Sequence, residues 1–393
     1  MTLSSRPGNM QRVRCLRVAG ATVVLALAWQ LLMVYGVYEG NWTGLFCIGS
    51  TWQPPDELAS ENLHIFRNSN GYDGQFYLYI AQDPFFRRGF ASSIDAPRLR
   101  YRRILIPLAA WTLGAGSQTR IVYAYSLVVL AFLFLGAWWL ARYAVQAGKP
   151  AVWGLGFLIV PATLISLDRM TLDGAMTALT MGFAWYTSRR AEVLAPGRLF
   201  ALLMAAPLVR ETGILLTAAV CLCLLNKRDW RRTLLFGSSA IPAVAWWAFV
   251  HLHTRPDDIQ PFSWIPLWPL MQAWISPLAY PPLPVPGWLL PSLDRLGMLG
   301  AAAAFWFAIR GFVLEPTWTA CVLFTLLGLW HNMPNAWQDV YAFGRSFAPL
   351  FLLIALQGVD GKGFIRFAPM LLPLPRIAIQ LGGSLVTAIG RLF

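Results

Sequence analysis

Apolar stretches of membrane-crossing length return repeatedly along this chain, and no other property of the sequence narrows the fold as far. The first covers 18–38, and others cover 121–140, 152–167, 175–186, 234–250, 298–313, 318–330 and 346–359. A helix needs about 20 mainly apolar residues to cross the hydrocarbon core. In lipid it must also satisfy its own backbone hydrogen bonds. The runs are continuous rather than alternating, which argues against a β-barrel. Only 12% of the residues are charged and 57% are hydrophobic, with mean hydropathy +0.53, which is rare for a soluble chain of 393 residues. The sequence therefore predicts a single all-α polytopic membrane domain over 1–393, with about 9–12 transmembrane or re-entrant helices.

The net charge of +13 fits that reading without nucleic acid as a partner, because Lys and Arg collect in cytoplasmic loops and fix topology. Residues 1–17 carry Arg6, Arg12, Arg14 and Arg17 and no acid. The run that follows is long for a signal peptide and shows no small-x-small cleavage site, so it reads as an uncleaved first helix with a cytoplasmic N-terminus. That puts a long first loop, 39–119, outside, and loops of such length are usually functional. It ends in the basic run Arg98, Arg100, Arg102 and Arg103. The apolar piece 104–114 is too short to span at 1.5 Å per residue and is expected to dip in or lie flat. Both flanks of 198–232 are basic, with Arg189, Arg190 and Arg198 before and Lys227, Arg228, Arg231 and Arg232 after. A broken, re-entrant pair meeting near Pro207, with Arg210-Glu211-Thr212-Gly213 at its tip, satisfies that charge pattern. Further external loops are expected over 254–297, rich in Pro and Trp, and over 331–345. The stretch after 366 reads equally as a final span or a surface helix. The five cysteines show no zinc spacing and suggest neither disulfide nor structural metal.

This topology, drawn from Lys and Arg alone, gathers Asp73, Asp83, Asp168, Asp173, Arg210, Glu211, Asp339 and Arg345 on one face of the membrane. Charges beside or within apolar runs cost at least about 2.5–3.5 kcal/mol at bilayer depth and are normally paired or functional. The plainer alternative is that they only hold helices together, Asp168 or Asp173 with Arg169 and Glu211 with Arg210. Convergence of the whole set beside a long loop favours a site. Its centre is the polar stretch Gly71-Tyr72-Asp73-Gly74-Gln75-Phe76-Tyr77, where Asp73-Gly74 signals a tight turn.

Tyr72-Asp73-Gly74-Gln75-Phe76-Tyr77, followed by Ile80-Ala81, resembles the first-loop motif of GT-C glycosyltransferases. It is most similar to that of the polyprenyl- or dolichyl-phosphate-mannose-dependent mannosyltransferases, including the PIG-V-like group. Residues 161–173 occupy the place of that group's second motif, Arg210-Glu211-Thr212-Gly213 resembles its later Arg-x-x-Gly step, and Gly344-Arg345-Ser346-Phe347-Ala348-Pro349 resembles its late Arg-containing helix start. The chain departs from the group at Tyr72, where Trp is common, and at Asp168, where Glu or Gln often stands.

The resemblance implies a GT-C-like bundle with a long first external loop, and an inverting glycosyltransferase in the bacterial inner membrane. Its donor would be a polyprenyl-phosphate sugar, its acceptor a glycan, lipid or protein hydroxyl, and its surroundings membrane lipid. Asp73 is then the general base. Arg102, Arg103, Arg210 and Arg345 are candidates for the donor phosphate, and Tyr72, Gln75, Tyr77, Asp168, Asp173, Glu211 and Asp339 for support or substrate binding. No cofactor is required; a divalent Mg or Mn ion is compatible, but no motif supports one.

Other residues have plainer expected roles. The run Arg98 to Arg103 is more often a headgroup-binding patch than a catalytic one. Asp83, before Pro84, reads as a turn residue and Asp257-Asp258 as a solvated turn; His64, His251, His253 and His331 lack ligand spacing. Tryptophans serve first as interface anchors, with Trp337 a secondary candidate for sugar stacking. A transporter or flippase for a lipid-linked or anionic substrate is the alternative function, since intramembrane Arg and Asp with a broken helix suit it too. An assembly scaffold would leave so many external acids without use.

Overall fold

The computed structural model describes residues 9–59, 62–188, 196–257, 262–280, 285–332 and 336–392. Arg6, Glu61, Arg189, Arg190, Asp258 and the prolines at 261, 281, 282 and 284 lie outside the described residues. Among the described residues the regular structure is helical, apart from one two-residue parallel ladder that pairs β1 (Ile48–Gly49) with β2 (Ile65–Phe66) and one antiparallel bridge between Phe262 and His331. Four helices are long and apolar enough to cross a membrane, or up to seven if each bent pair is one span. Three shorter apolar helices accompany them, so the architecture is all-α and polytopic, with fewer full-length spans than the composition suggests.

Helix α1 (Asn9–Gly36) is the first long apolar helix. The long first loop that follows is largely built of short regular elements. It holds α2 (Asp56–Ala59), α3 (Asp73–Gln82), α4 (Pro97–Tyr101) and α5 (Leu105–Leu113), the last being the short apolar piece expected not to span. Helix α6 (Gln118–Gln146) then packs along α1.

The stretch 152–167, expected as one climb through the membrane, is instead a 3-10 segment (Ala151–Ile159) joined to α7 (Pro161–Arg169) at 59°. Proline disfavours the helical conformation in the residue before it, and Val160 is extended, so the break falls where Pro161 begins the new helix. Helix α8 (Asp173–Thr187) follows, then α9 (Pro196–Val209) and α10 (Ile214–Asn226). Pro207 lies inside α9, and the break comes at Arg210, which is extended, with a 3-10 turn over Glu211–Gly213. The turn is tight enough that a Cβ on Gly213 would lie 2.2 Å from the Ala206 carbonyl carbon.

Helices α11 (Trp230–Gly237) and α12 (Ile241–His253) run together as one candidate span. In the second external stretch, α13 (Trp268–Ile275) is short, and α14 (Leu289–Arg310) starts earlier than the prolines suggested. Pro291 falls in its first turn, where a missing N–H costs little. After α15 (Pro316–Trp330) come α16 (Val340–Ser346) and α17 (Ala348–Val359), bent by 61°. Last are α18 (Ala368–Leu371) and α19 (Leu374–Leu392), which lies against α1.

Helices α8 and α17 are apolar on nearly every face and buried along nearly their whole length, as such helices must be. They pack on each other at the centre, with α6 and α9 flanking α8 and α14 and α15 flanking α17. Asp173 opens α8, and Arg345 lies just before α17, so the two central helices present opposite charges at adjoining ends.

Helix α3 is seated on this core by its first turn. A Cβ on Gly74 would lie 2.2 Å from the carbonyl oxygen of Arg169, at the end of α7. That oxygen is backbone and cannot swing aside, so the residue after Asp73 has to be glycine. Gly74→Ala is expected to destabilise the fold by about 1–3 kcal/mol through overpacking. Thermal unfolding in detergent reads this as a lower midpoint; an unchanged midpoint would mean that α3 does not rest on α7.

Candidate active site: a ladder of alternating acids and arginines

Each acid of the candidate set that shares a cluster of charges owes its place to a helix end. Asp73 is in the first turn of α3, Asp173 in the first turn of α8, and Glu211 opens the 3-10 turn before α10. Helix N-termini carry unsatisfied N–H groups and partial positive charge, which favour a carboxylate.

The arginines come from different elements and interleave with the acids. Arg100 Nη2 is 2.7 Å from Asp95 Oδ2, and its Nη1 is 2.9 Å from Asp73 Oδ2. Arg345 Nη2 lies 2.6 Å from the same Asp73 oxygen, and its Nη1 is 3.3 Å from Asp173 Oδ2. Asp173 also pairs with Arg210, whose Nη2 donates to Ser346 Oγ at 2.9 Å. The order is thus Asp95, Arg100, Asp73, Arg345, Asp173, Arg210, three acids alternating with three arginines. Tyr77 joins a second pair to this ladder: its hydroxyl accepts from Arg103 at 2.8 Å and from Arg100 at 3.5 Å, while Arg103 Nε sits 3.0 Å from Glu211. The Tyr72 ring lies under the Arg345 guanidinium, 4.8 Å away, and its hydroxyl donates to the Tyr341 carbonyl.

Burial alone would raise the Asp73 pKa. Arg100 and then Arg345 outweigh it and hold the carboxyl well below the usual carboxylate range. Asp73 is therefore a carboxylate at any physiological pH, but a weak base while both guanidiniums are in place.

Of the residues singled out from the sequence, the structure brings together Asp73, Tyr72, Tyr77, Arg103, Asp173, Arg210, Glu211 and Arg345. Asp168 stands to one side: it is 2% exposed, pairs with Arg169 at 3.0 Å and accepts from the Tyr341 hydroxyl at 3.4 Å. The expected pair Asp168 and Arg169 exists; Glu211, however, pairs with Arg103 and not with its neighbour Arg210. Gln75 is a loop stitch: its Oε1 accepts from Gly49 N and its Nε2 donates to the Asn70 carbonyl. Asp339 caps α16 by accepting from Ala342 N at 2.8 Å. Arg102 has no acid partner among the described residues, and its Nε is buried without a hydrogen bond.

Several plainer expectations are corrected. The run Arg98 to Arg103 is not one headgroup patch. Arg98 binds the Thr254 carbonyl at the end of α12, and Arg100 and Arg103 turn into the site. Asp257 is not a solvated turn residue; it accepts from the backbone N–H groups of Arg98 and Leu99 and so anchors α4. Trp337 is stacked between Phe343 and Phe347 at 2% exposure, which rules it out as a sugar platform. Asp83 does organise a turn, accepting from Arg87 N and Arg88 N.

Arg100 and Asp95 are the members that the sequence candidates left out, and only Arg100 had a signal. The signal was its spacing: Arg100 and Arg103 are three apart, the separation that puts two side chains on one side of a helical turn. No group of three or more His, Cys, Asp or Glu among the described residues is placed to hold a metal. No protein-family model, curated protein or solved structure matches the chain.

Proposed function

We propose that the protein is an inverting GT-C-type glycosyltransferase of the bacterial inner membrane, moving a sugar from a polyprenyl-phosphate donor to an acceptor hydroxyl on the extracytoplasmic side. The observation that carries this reading is the pinching of Asp73 between Arg100 and Arg345 on a short helix outside the apolar spans. Two guanidiniums, each giving one nitrogen to the same carboxylate oxygen, mark a place that suits a phosphate oxygen, because phosphate takes the same planar donors.

Donor binding then has two effects. The phosphodiester draws Arg100 and Arg345 toward itself, and the basicity of Asp73 recovers as its counter-charges move away. The acceptor O–H gives its proton to Asp73 while its oxygen bonds to the anomeric carbon. The bond from that carbon to the phosphate oxygen breaks on the opposite face, through an oxocarbenium-like transition state. The leaving polyprenyl phosphate keeps the electron pair and gains a second negative charge, so the arginines bind it more tightly than they bound the donor. A single displacement inverts the anomeric centre.

An apolar cleft of about 170 Å³, on the Asp168 side of the cluster, offers apolar contact to a short part of the donor tail. Leu25 and Trp29 of α1, Leu158, Leu164 of α7 and Leu381 of α19 line it, and it reaches Leu167, the neighbour of Asp168.

The test is to purify the full chain and offer a panel of radiolabelled polyprenyl-phosphate sugars with a membrane extract as acceptor. Label is expected to leave one donor and enter an acceptor with the opposite anomeric configuration. Movement of intact donor across proteoliposomes without transfer would overturn the reading in favour of a transporter or flippase.

A further inference from the structure

Helix α3 has a second working face. Leu78 and Gln82, four residues apart, lie about 140° round the helix from Asp73 and Tyr77, which face the arginines. Leu78 and Gln82 border a cleft of about 240 Å³. Its other walls are the start of α6, with Gln118 and Tyr123, and the first loop, with Asn41, Trp42 and Asn62. No charged side chain lines it among the described residues.

Two features of this cleft point to a ligand. The first is an unmet acceptor. Gln82 is 5% exposed, and its Nε2 donates to the Gln118 carbonyl at 2.9 Å, which fixes the amide orientation. Its Oε1 is buried with no hydrogen-bond partner. Buried polar atoms are nearly always satisfied, so this oxygen calls for a donor from outside the protein. The second is an aromatic wall. Trp42 and Tyr123 meet edge to face at 5.5 Å, and Tyr123 is 50% exposed. Asn41 props the same wall by donating from Nδ2 to the Asn62 carbonyl at 2.7 Å.

We infer that this cleft binds a neutral saccharide. A sugar presents hydroxyl donors on its edge and C–H groups on its faces. A hydroxyl satisfies Gln82 Oε1 once a side-chain rotation turns that oxygen into the cleft, and a ring face packs on Tyr123 and Trp42. Among the described residues the lining offers no counter-charge to a headgroup or phosphate, which favours a neutral ligand. The site does not rest on the role of Asp73, since Gln82 is about 14 Å further along α3 and faces away.

The experiment uses the full chain in a detergent without a sugar headgroup. Maltotetraose, α-1,6-mannotetraose and chitotetraose are the probes, read by saturation-transfer NMR and calorimetry. At least one should bind at millimolar concentration or below. Tyr123→Ala removes an exposed ring and should weaken binding at least tenfold. Gln82→Met keeps the shape, removes the acceptor and should do the same. Failure of all three probes to bind, or unchanged affinity in either folded variant, overturns the proposal. Should Gln82→Met unfold, Tyr123→Ala alone decides.

Discussion

Asp73→Asn is expected to stop glycosyl transfer in a protein that still folds and still binds donor. A positioned general base contributes about 10²–10⁴-fold, and turnover should fall by that factor. The donor KM should not rise. The neutral amide no longer competes for Arg100 and Arg345, so both guanidiniums are freer for the phosphate. A merely structural Asp73 would lower turnover and donor binding together, so the split between them is diagnostic. Removing one partner from a buried ion pair costs about 3–5 kcal/mol when the other is left alone. Here Arg100 keeps Asp95 and Arg345 keeps Asp173, so a loss of about 1–3 kcal/mol is expected. Because the folded-state pKa of Asp73 is depressed, its contribution is fully present above the unfolded value of about 3.9 and is lost as pH falls through the folded pKa. The difference in unfolding midpoint between wild type and Asp73→Asn should therefore stay constant from about pH 5 to 9 and shrink only in stronger acid. Full activity in Asp73→Asn would end the proposed role.

Arg345→Ala should damage donor use more than any other arginine substitution. Arg345 joins the two halves of the ladder, touching Asp73 and Asp173, and stacks on Tyr72. If the proposed function holds, its loss takes a charge-assisted donor pair from the leaving phosphate, for which about 10²–10³-fold in kcat/KM is expected. Arg345→Lys should recover part of the loss, since it restores charge without the planar fork. The fold should survive Arg345→Ala, because Asp73 retains Arg100 and Asp173 retains Arg210. Steady-state kinetics with varied donor measures both variants; normal kinetics in Arg345→Ala and Arg210→Ala would remove both residues from the site.

Hydrophobic pattern and charge carried the reading of this sequence some distance. Apolar runs located the long helices, because crossing lipid leaves few alternatives for a backbone. Polar residues stood out against them, and most of the acids and arginines picked for that reason meet in one cluster. What the pattern hid was decided by contacts between distant segments. The bend at Pro161 depends on one dihedral, and hydropathy does not register it. Arg100 and Arg98 are two residues apart and read alike in a basic run, yet one enters the site and the other clasps the end of α12. Trp337 carries the same ring whether it stacks on a sugar or on two phenylalanines. Asp257 finds its partners in a helix more than 150 residues earlier. Asp73-Gly74 read as a tight turn but opens helix α3, and the glycine is required there because the backbone of Arg169 presses on it.

Three carboxylates opposite three guanidiniums sum to zero, and most of that charge is withdrawn from water. Such an arrangement projects almost no long-range field of its own, so any salt dependence in the arrival of an anionic lipid would come from the net charge of +13 carried elsewhere on the protein. An incoming headgroup would then reach the cluster by two-dimensional diffusion in its own leaflet, and the pull of these arginines would begin only at contact.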